Sequence, residues 1–170
     1  AVEQVVSLFD SFDIDKLKAH REEIIACFKE NKALHAKATL FISAAGSLLG
    51  DNLRTAQEYV NREKLSRFCE KTAAAEFGRK SAAKPGAEYD VFFSAITAQG
   101  VTFHGDTLHR FCKRAYLFED RYGCVGGEIL RSLRDSAVRA GHAVICGFCP
   151  TAPFEKMEQL VVPELQLGFF

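Results

Sequence analysis

The stretch "LFEDRYGCVGGEILRSLRD", residues 117–135, decides the fold that we expect for this chain. An apolar strand end leads into a glycine-rich bend and then into a helical pattern, which is the order of elements around a phosphate-binding loop. The candidate phosphate-binding residues in the bend are Gly123, Gly126 and Gly127. The stretch therefore predicts a strand, a phosphate-loop-like turn and a helix within an α/β sheet.

The bend lacks the side chains that a working phosphate loop needs. In the pattern GxxxxGK[ST], the lysine neutralises the outer phosphates and the hydroxyl holds magnesium. Aligning the strand end and the helix start puts Asp120 at the first glycine, Gly126 at the lysine and Gly127 at the hydroxyl position. Glu119, Asp120 and Glu128 are acids that would favour the helix N-terminus, by about 0.3–1 kcal/mol each, but would repel a polyphosphate. We therefore expect a degenerate loop that serves as a tight turn.

Strands alternate with helices from residue 91 onward, and the strands lack a polar alternation. This pattern is typical of a parallel sheet with helices on its faces. We expect strands over 91–100, 115–119, 143–148 and 165–170, helices over 106–114 and 126–142, and a single helical turn within 154–160. The fold class expected is a P-loop NTPase-like α/β sheet, incomplete because such sheets usually hold about five strands.

The sequence from Asp13 to about Glu76 has helical periodicity. Apolar residues recur every three or four positions and predict the inward face of a helical hairpin or small bundle. The sequence "GDN" at 50–52 is expected to break the helix, and Asn61 is expected to cap the next one. Residues 81–90 have no periodicity and predict a linker. The expected organisation is a helical region 1–80, a linker 81–90 and an α/β module 91–170.

Several stretches together resemble an uncharacterised, Firmicute-type bacterial family of predicted ATPases built from two tandem P-loop modules. They are "YDVFFSAITAQG" at 89–100, the bend within "RAYLFEDRYGCVGGEILRSLRD" at 114–135, and "VICGFCPTAPFEKMEQLVVPEL" at 144–165. In that family one module keeps an intact Walker A loop, and the other keeps the strand, bend and helix but loses the lysine. The helical region at 13–78 is similar to the segment between the two modules.

The resemblance implies a role without hydrolysis by this segment. ATP and magnesium would bind to an intact P-loop module elsewhere in the parent protein, and this degenerate module would be its structural or regulatory partner. No cofactor is predicted for the segment itself, and no catalytic residue is assigned to it.

The composition argues against nucleic-acid binding and against membrane insertion. The chain holds 22 Lys and Arg against 22 Asp and Glu, so no net field favours nucleic acid or an anionic membrane. Its longest apolar runs are too short to span a bilayer. A cytoplasmic location is expected, with the six cysteines kept as reduced thiols.

Two alternative functions compete with the degenerate module. Cys146 and Cys149 form a CxxC after a predicted strand, which is typical of a thiol-redox site. The same two cysteines could bind zinc together with His104 and His109, although the spacing matches no compact zinc finger. A burial role for these cysteines is the simpler interpretation. The second alternative is a helical protein-interaction module, with the hairpin at 13–78 as its surface.

Overall fold

The computed structural model of this chain describes residues 7–78, 83–153 and 155–170. The chain divides into two compact units, of which one ends at Ile42 and the other is Ser43–Phe170. The helices are α1 Ile14–Ala19, α2 Arg21–Gln57, α3 Arg62–Glu76, α4 Gly105–Phe111 and α5 Gly126–Arg139, with short 3-10 turns at Phe9–Ser11 and Pro163–Leu165. None of the helices described is both long enough and apolar enough to pass through a bilayer.

The first unit contains α1 and the beginning of α2. Asp13 caps α1, because its side chain accepts a hydrogen bond from the Lys16 amide at 3.1 Å. No residue of α1 or α2 is buried. The apolar stripe that was predicted to face inward is therefore exposed, with Phe28 74% exposed and Phe41 69% exposed.

Helix α2 continues through the expected break at 50–52, so that prediction was wrong. A glycine inside a helix costs only about 1 kcal/mol relative to alanine, which the hydrogen bonds of a long helix can absorb. The start of α3 is confirmed, since the Asn61 side chain accepts a hydrogen bond from the Lys64 amide at 2.9 Å.

The second unit is an α/β structure, as predicted, built on a five-stranded sheet. Its strands and a separate hairpin are β1 Glu88–Val91, β2 Ser94–Thr97, β3 Gly100–Phe103, β4 Arg114–Tyr116, β5 Val144–Phe148, β6 Met157–Val162 and β7 Leu167–Phe169. The sheet order is β1-β5-β6-β7-β4, and β2 pairs with β3 in a two-stranded sheet. The stretch predicted as one strand over 91–100 is thus divided between two sheets.

The five-stranded sheet is mixed, which corrects the expectation of a purely parallel one. Strand β1 runs parallel to β5 and β4 parallel to β7, but β6 is antiparallel to both β5 and β7. The connection over 149–156 is too short for a parallel crossover, which needs roughly a dozen residues or more. The chain therefore turns back, and residues 157–160 form a strand where we expected a helical turn.

Helices α3 and α5 share one core with the sheet. Leu133 and Ala137 of α5 are fully buried. Cys69 and Ala73 of α3, and Phe77 directly after it, belong to the same cluster. The predicted organisation placed α3 outside the α/β module, with a linker at 81–90. In the structure α3 belongs to the same compact unit as the sheet, and β1 begins within that stretch, of which residues 81 and 82 lie outside the described part.

The end of α3 is connected to β4 by a partly buried carboxylate. Glu76 Oε1 accepts a hydrogen bond from the Tyr116 hydroxyl at 2.6 Å, and Arg114 Nη2 donates to Glu76 Oε2 at 2.9 Å. The Glu76 side chain is only 11% exposed. The hydrogen bond from Tyr116 lowers the pKa of Glu76, although burial opposes it. This contact holds the strand that leads into the glycine-rich bend.

Candidate functional site at the glycine-rich turn

The glycine-rich bend is a tight turn between β4 and α5, as its sequence predicted. The chain passes through residues 117–120 and turns over 121–125 before α5 begins at Gly126. Gly123 has φ +66°, a left-handed conformation that glycine adopts without steric cost. Its amide donates to the Asp120 carbonyl at 3.2 Å, which closes the turn.

The Asp120 carboxylate occupies the amides at the start of α5. Asp120 Oδ2 accepts hydrogen bonds from the Val125 amide at 2.8 Å and from the Gly126 amide at 2.7 Å. Val125, the residue at the N-cap position, makes no side-chain cap bond of its own. The first amides of a helix lack partners within the helix, and a carboxylate there also interacts favourably with the helix dipole. Asp120 therefore supplies the anion that this helix terminus attracts.

The electrostatics of Asp120 agree with that geometry. Burial by itself raises the pKa of the Asp120 carboxyl, but hydrogen bonds from the Gly126, Val125, Cys124 and Gly123 amides outweigh it, so the pKa is lowered overall. A carboxylate that accepts several backbone N–H bonds is stabilised in its charged form. Asp120 is thus a built-in anion in the turn.

The remaining glycines begin α5. A Cβ atom built on Gly126 would lie 3.4 Å from Asp120 Oδ2, and one on Gly127 would lie 3.8 Å from the Met157 carbonyl oxygen. Neither glycine has a positive φ, so the backbone at both positions suits an ordinary side chain. What differs from a phosphate loop at these two positions is therefore the side chains, which lack the lysine and the hydroxyl.

The other two acids of the bend behave differently from Asp120. Glu128 forms an ion pair with Arg62 of α3, with 3.0 Å between Oε2 and Nη1. Glu119 is exposed. Of the three acids expected to surround the helix N-terminus, Asp120 is thus the one whose side chain accepts hydrogen bonds from its amides.

A second feature of the site is a cavity of about 400 Å³ beside the turn, with Arg121, Arg131 and Lys156 among its lining residues. Lys156 Nζ donates to Glu158 Oε1 at 2.9 Å, and Arg131 donates to the Glu155 carbonyl. Burial lowers the pKa of Lys156, but the Glu158 carboxylate more than compensates, so the pKa is raised. Lys156 is therefore a paired cation, unlike the lysine of a phosphate loop, whose charge is directed at the ligand.

The residues of the turn do not fit a magnesium-bound polyphosphate. The amides that would bind phosphate are held by Asp120, and its negative charge adds repulsion at that point. The positions of the lysine and the hydroxyl are occupied by Gly126 and Gly127.

The two cysteines of the CxxC differ in position and in side-chain contacts. Cys146 lies in β5, is fully buried in the core, and has its pKa raised to about 12, chiefly by burial. Cys149 follows the strand and lies with its Sγ 3.0 Å from Thr151 Oγ1. A redox thiol needs a lowered pKa, so Cys146 lacks the property that such a site requires.

The residues of the predicted zinc site do not form a ligand set either. His104 precedes α4, and His109 lies in its last turn. Across residues 7–78, 83–153 and 155–170, no three His, Cys, Asp or Glu side chains come together in a group that could hold a metal ion. The structure therefore does not bring His104 and His109 together with Cys146 and Cys149 as a ligand set.

One functional feature was missed from the sequence. Asp120 was expected to favour the helix N-terminus through the helix dipole and to repel phosphate, whereas its side chain also takes the place of a phosphate by accepting hydrogen bonds from the amides. An aspartate a few residues before a helix start is a capping signal, and it could have indicated this contact.

No family model, curated protein or solved structure matches this chain.

Proposed function

We propose that this chain is a degenerate, P-loop NTPase-like module that does not hydrolyse nucleotide and serves a structural or regulatory role beside an intact nucleotide-binding module. The observation that carries the proposal is the contact of Asp120 Oδ2 with the Val125 and Gly126 amides. A phosphate loop directs its first helix amides at an anionic ligand. Here the amides at the start of the helix donate to a carboxylate of the chain itself.

The position of β4 at a sheet edge supports binding to a partner module. Strand β4, which leads into the turn, lies at one edge of the five-stranded sheet and pairs on its inner side with β7. In the described part of the chain no strand pairs with its outer side. An open strand edge can accept a strand from another module through main-chain hydrogen bonds. The partner module would bind ATP and magnesium, and this one would bind neither.

Restoring the missing side chains tests the proposal directly. A fourfold variant, Asp120→Gly, Val125→Gly, Gly126→Lys and Gly127→Ser, recreates GxxxxGKS on the present backbone. Removing Asp120 frees the amides, and the positions of Gly126 and Gly127 have room for side chains. We expect calorimetry to find magnesium-dependent ATP binding by this variant with a Kd below about 1 mM, and none by the unmodified chain.

A matched variant isolates the lysine. It carries the same changes at 120, 125 and 127 but keeps Gly126, and we expect it to bind ATP at least tenfold more weakly. Circular dichroism establishes that each variant is folded before binding is measured. Tight magnesium-dependent ATP binding by the unmodified chain would refute the proposal, and so would a folded fourfold variant that binds no ATP.

A further inference from the structure

A second, larger cavity of about 1050 Å³ lies between the end of α2, the first turns of α3 and the segment 118–129. It is a separate feature from the amides held by Asp120. Its lining is mainly apolar, with Val60, Leu65, Phe68 and Phe118 among its side chains. Cavities of this size with apolar walls and a few polar groups are the usual binding places of small organic molecules.

Aromatic side chains give this cavity its shape. Phe68 and Phe118 pack edge to face, with ring centroids 5.9 Å apart. Tyr59 and Tyr122 also line the cavity and are 85% and 73% exposed, so they stand at its rim. Exposed aromatic rings beside an apolar cavity favour a ligand with a flat or compact apolar body.

The charge of the cavity comes from one lysine. Lys64 lines it, and no carboxylate forms an ion pair with the Lys64 ammonium among the residues that the structure describes. Its neighbours on α3 are compensated, because Arg62 pairs with Glu128 and Arg67 pairs with Glu63. A ligand in this cavity would therefore meet a single uncompensated positive charge next to apolar walls.

We infer that this cavity binds a small organic acid with an apolar body and one carboxylate. The body would pack against Phe68 and Phe118, and the carboxylate would pair with Lys64. Asn52, Thr55 and Asn61, which also line the cavity, are neutral and add no competing charge. Because Tyr122, Cys124 and Val125 of the glycine-rich turn also line the cavity, such a ligand would contact the segment that carries the amides bound by Asp120.

The test uses a local fluorophore and a pair of probes. The chain contains no tryptophan, so Tyr59→Trp and Tyr122→Trp each place a single reporter at the rim. The probes are 4-iodobenzoate and the neutral, equally sized 4-iodobenzamide, whose iodine quenches tryptophan on contact. We expect both reporters to be quenched saturably by 4-iodobenzoate below about 1 mM. The amide should bind about three- to fivefold more weakly.

Lys64→Gln and Lys71→Gln separate the cavity from general surface charge. Both lysines lie on α3, but Lys71 does not line the cavity. We expect Lys64→Gln to abolish the preference for the acid, and Lys71→Gln to leave it unchanged. Equal binding of the two probes, a preference that survives Lys64→Gln, or the absence of saturable quenching at both reporters would overturn the inference.

Discussion

The side-chain oxygen Oδ2 of Asp120 lies 2.7 Å from the backbone nitrogen of Gly126, so an acid from the end of one segment binds the first turn of the next helix. The two residues are close in sequence, and the left-handed Gly123 between them allows the chain to fold back. The turn therefore contains its own anion. The contact that caps the helix also occupies these amides.

Replacing Asp120 with alanine should destabilise the fold. The Val125 and Gly126 amides lose their acceptor, and loss of an N-terminal cap costs about 0.5–2 kcal/mol. Glu119→Ala is the matched control, because Glu119 is an exposed neighbouring acid. Urea unfolding should give a lower free energy of unfolding for Asp120→Ala and little change for Glu119→Ala. Equal effects would contradict the capping role.

The stabilising effect of Asp120 should disappear in acid. Its pKa is lowered in the folded chain from an ordinary value of 3.8, so the charged form favours folding. The contribution is complete above the pKa of the unfolded chain and is lost as the pH falls through the lower, folded pKa. The difference in unfolding free energy between the unmodified chain and Asp120→Ala should be constant near neutral pH and shrink below about pH 4. A difference that grows in acid would contradict this.

Tyr116→Phe should weaken the connection between α3 and β4. The hydroxyl of Tyr116 donates to the Glu76 carboxylate at 2.6 Å, and a hydrogen bond to a charged group contributes about 1.5–3 kcal/mol. Tyr89→Phe is the control, since Tyr89 is 58% exposed. Thermal unfolding should show a lower Tm for Tyr116→Phe alone. Because Glu76 raises the pKa of Tyr116, ultraviolet titration of Glu76→Gln should show one phenol titrating at a lower pH than before.

Cys146 should resist modification in the folded chain. Its thiol is fully buried and has a pKa of about 12, whereas Cys27 is exposed. The thiolate is the reactive form, so labelling by iodoacetamide at pH 8 should be at least about a hundredfold slower at Cys146 than at Cys27. Mass spectrometry of the digested protein measures both rates. Rapid labelling of Cys146, or a reversible bridge to Cys149 under mild oxidation, would revive the redox alternative.

Leu133→Ala should be among the more damaging single changes in α5. Leu133 is 0% exposed at the centre of the core, and truncation of a buried leucine costs about 2–5 kcal/mol. Leu117→Ala removes the same atoms from a side chain that is 79% exposed, so its effect should stay within about 0.5 kcal/mol. Chemical unfolding compares the two variants. Similar losses at the two positions would indicate that α5 does not pack as described.

The helices could largely be predicted from the sequence, because their signals are local. The spacing of Ile129, Leu133 and Ala137 predicted the buried face of α5, and all three are buried. Asn61 starts α3 as expected, and Gly141, with φ +92°, follows the end of α5. Each of these features depends on dihedral angles and hydrogen bonds within one or two helical turns.

The strand arrangement could not be predicted in the same way. The apolar run that contains Leu160 and Val161 has the same composition whether it forms a strand or a buried helix, and its antiparallel direction follows from the short connection after β5. The exposed apolar stripe of α2 could not be predicted for a similar reason. Periodicity identifies the apolar face of a helix, but it does not identify which segment packs against that face.

The sequence by itself determined the glycine-rich turn, the helix after it and the absence of a lysine and a hydroxyl, because these depend on neighbouring residues and on side-chain identity. Tertiary structure decided that the sheet is mixed, that α3 packs with α5, and that Glu76 reaches Tyr116 across 40 positions of the chain. It also decided which acid of the bend binds the amides and which pairs with Arg62. The physical reason is that contacts between distant segments contribute their energies only after those segments have packed together.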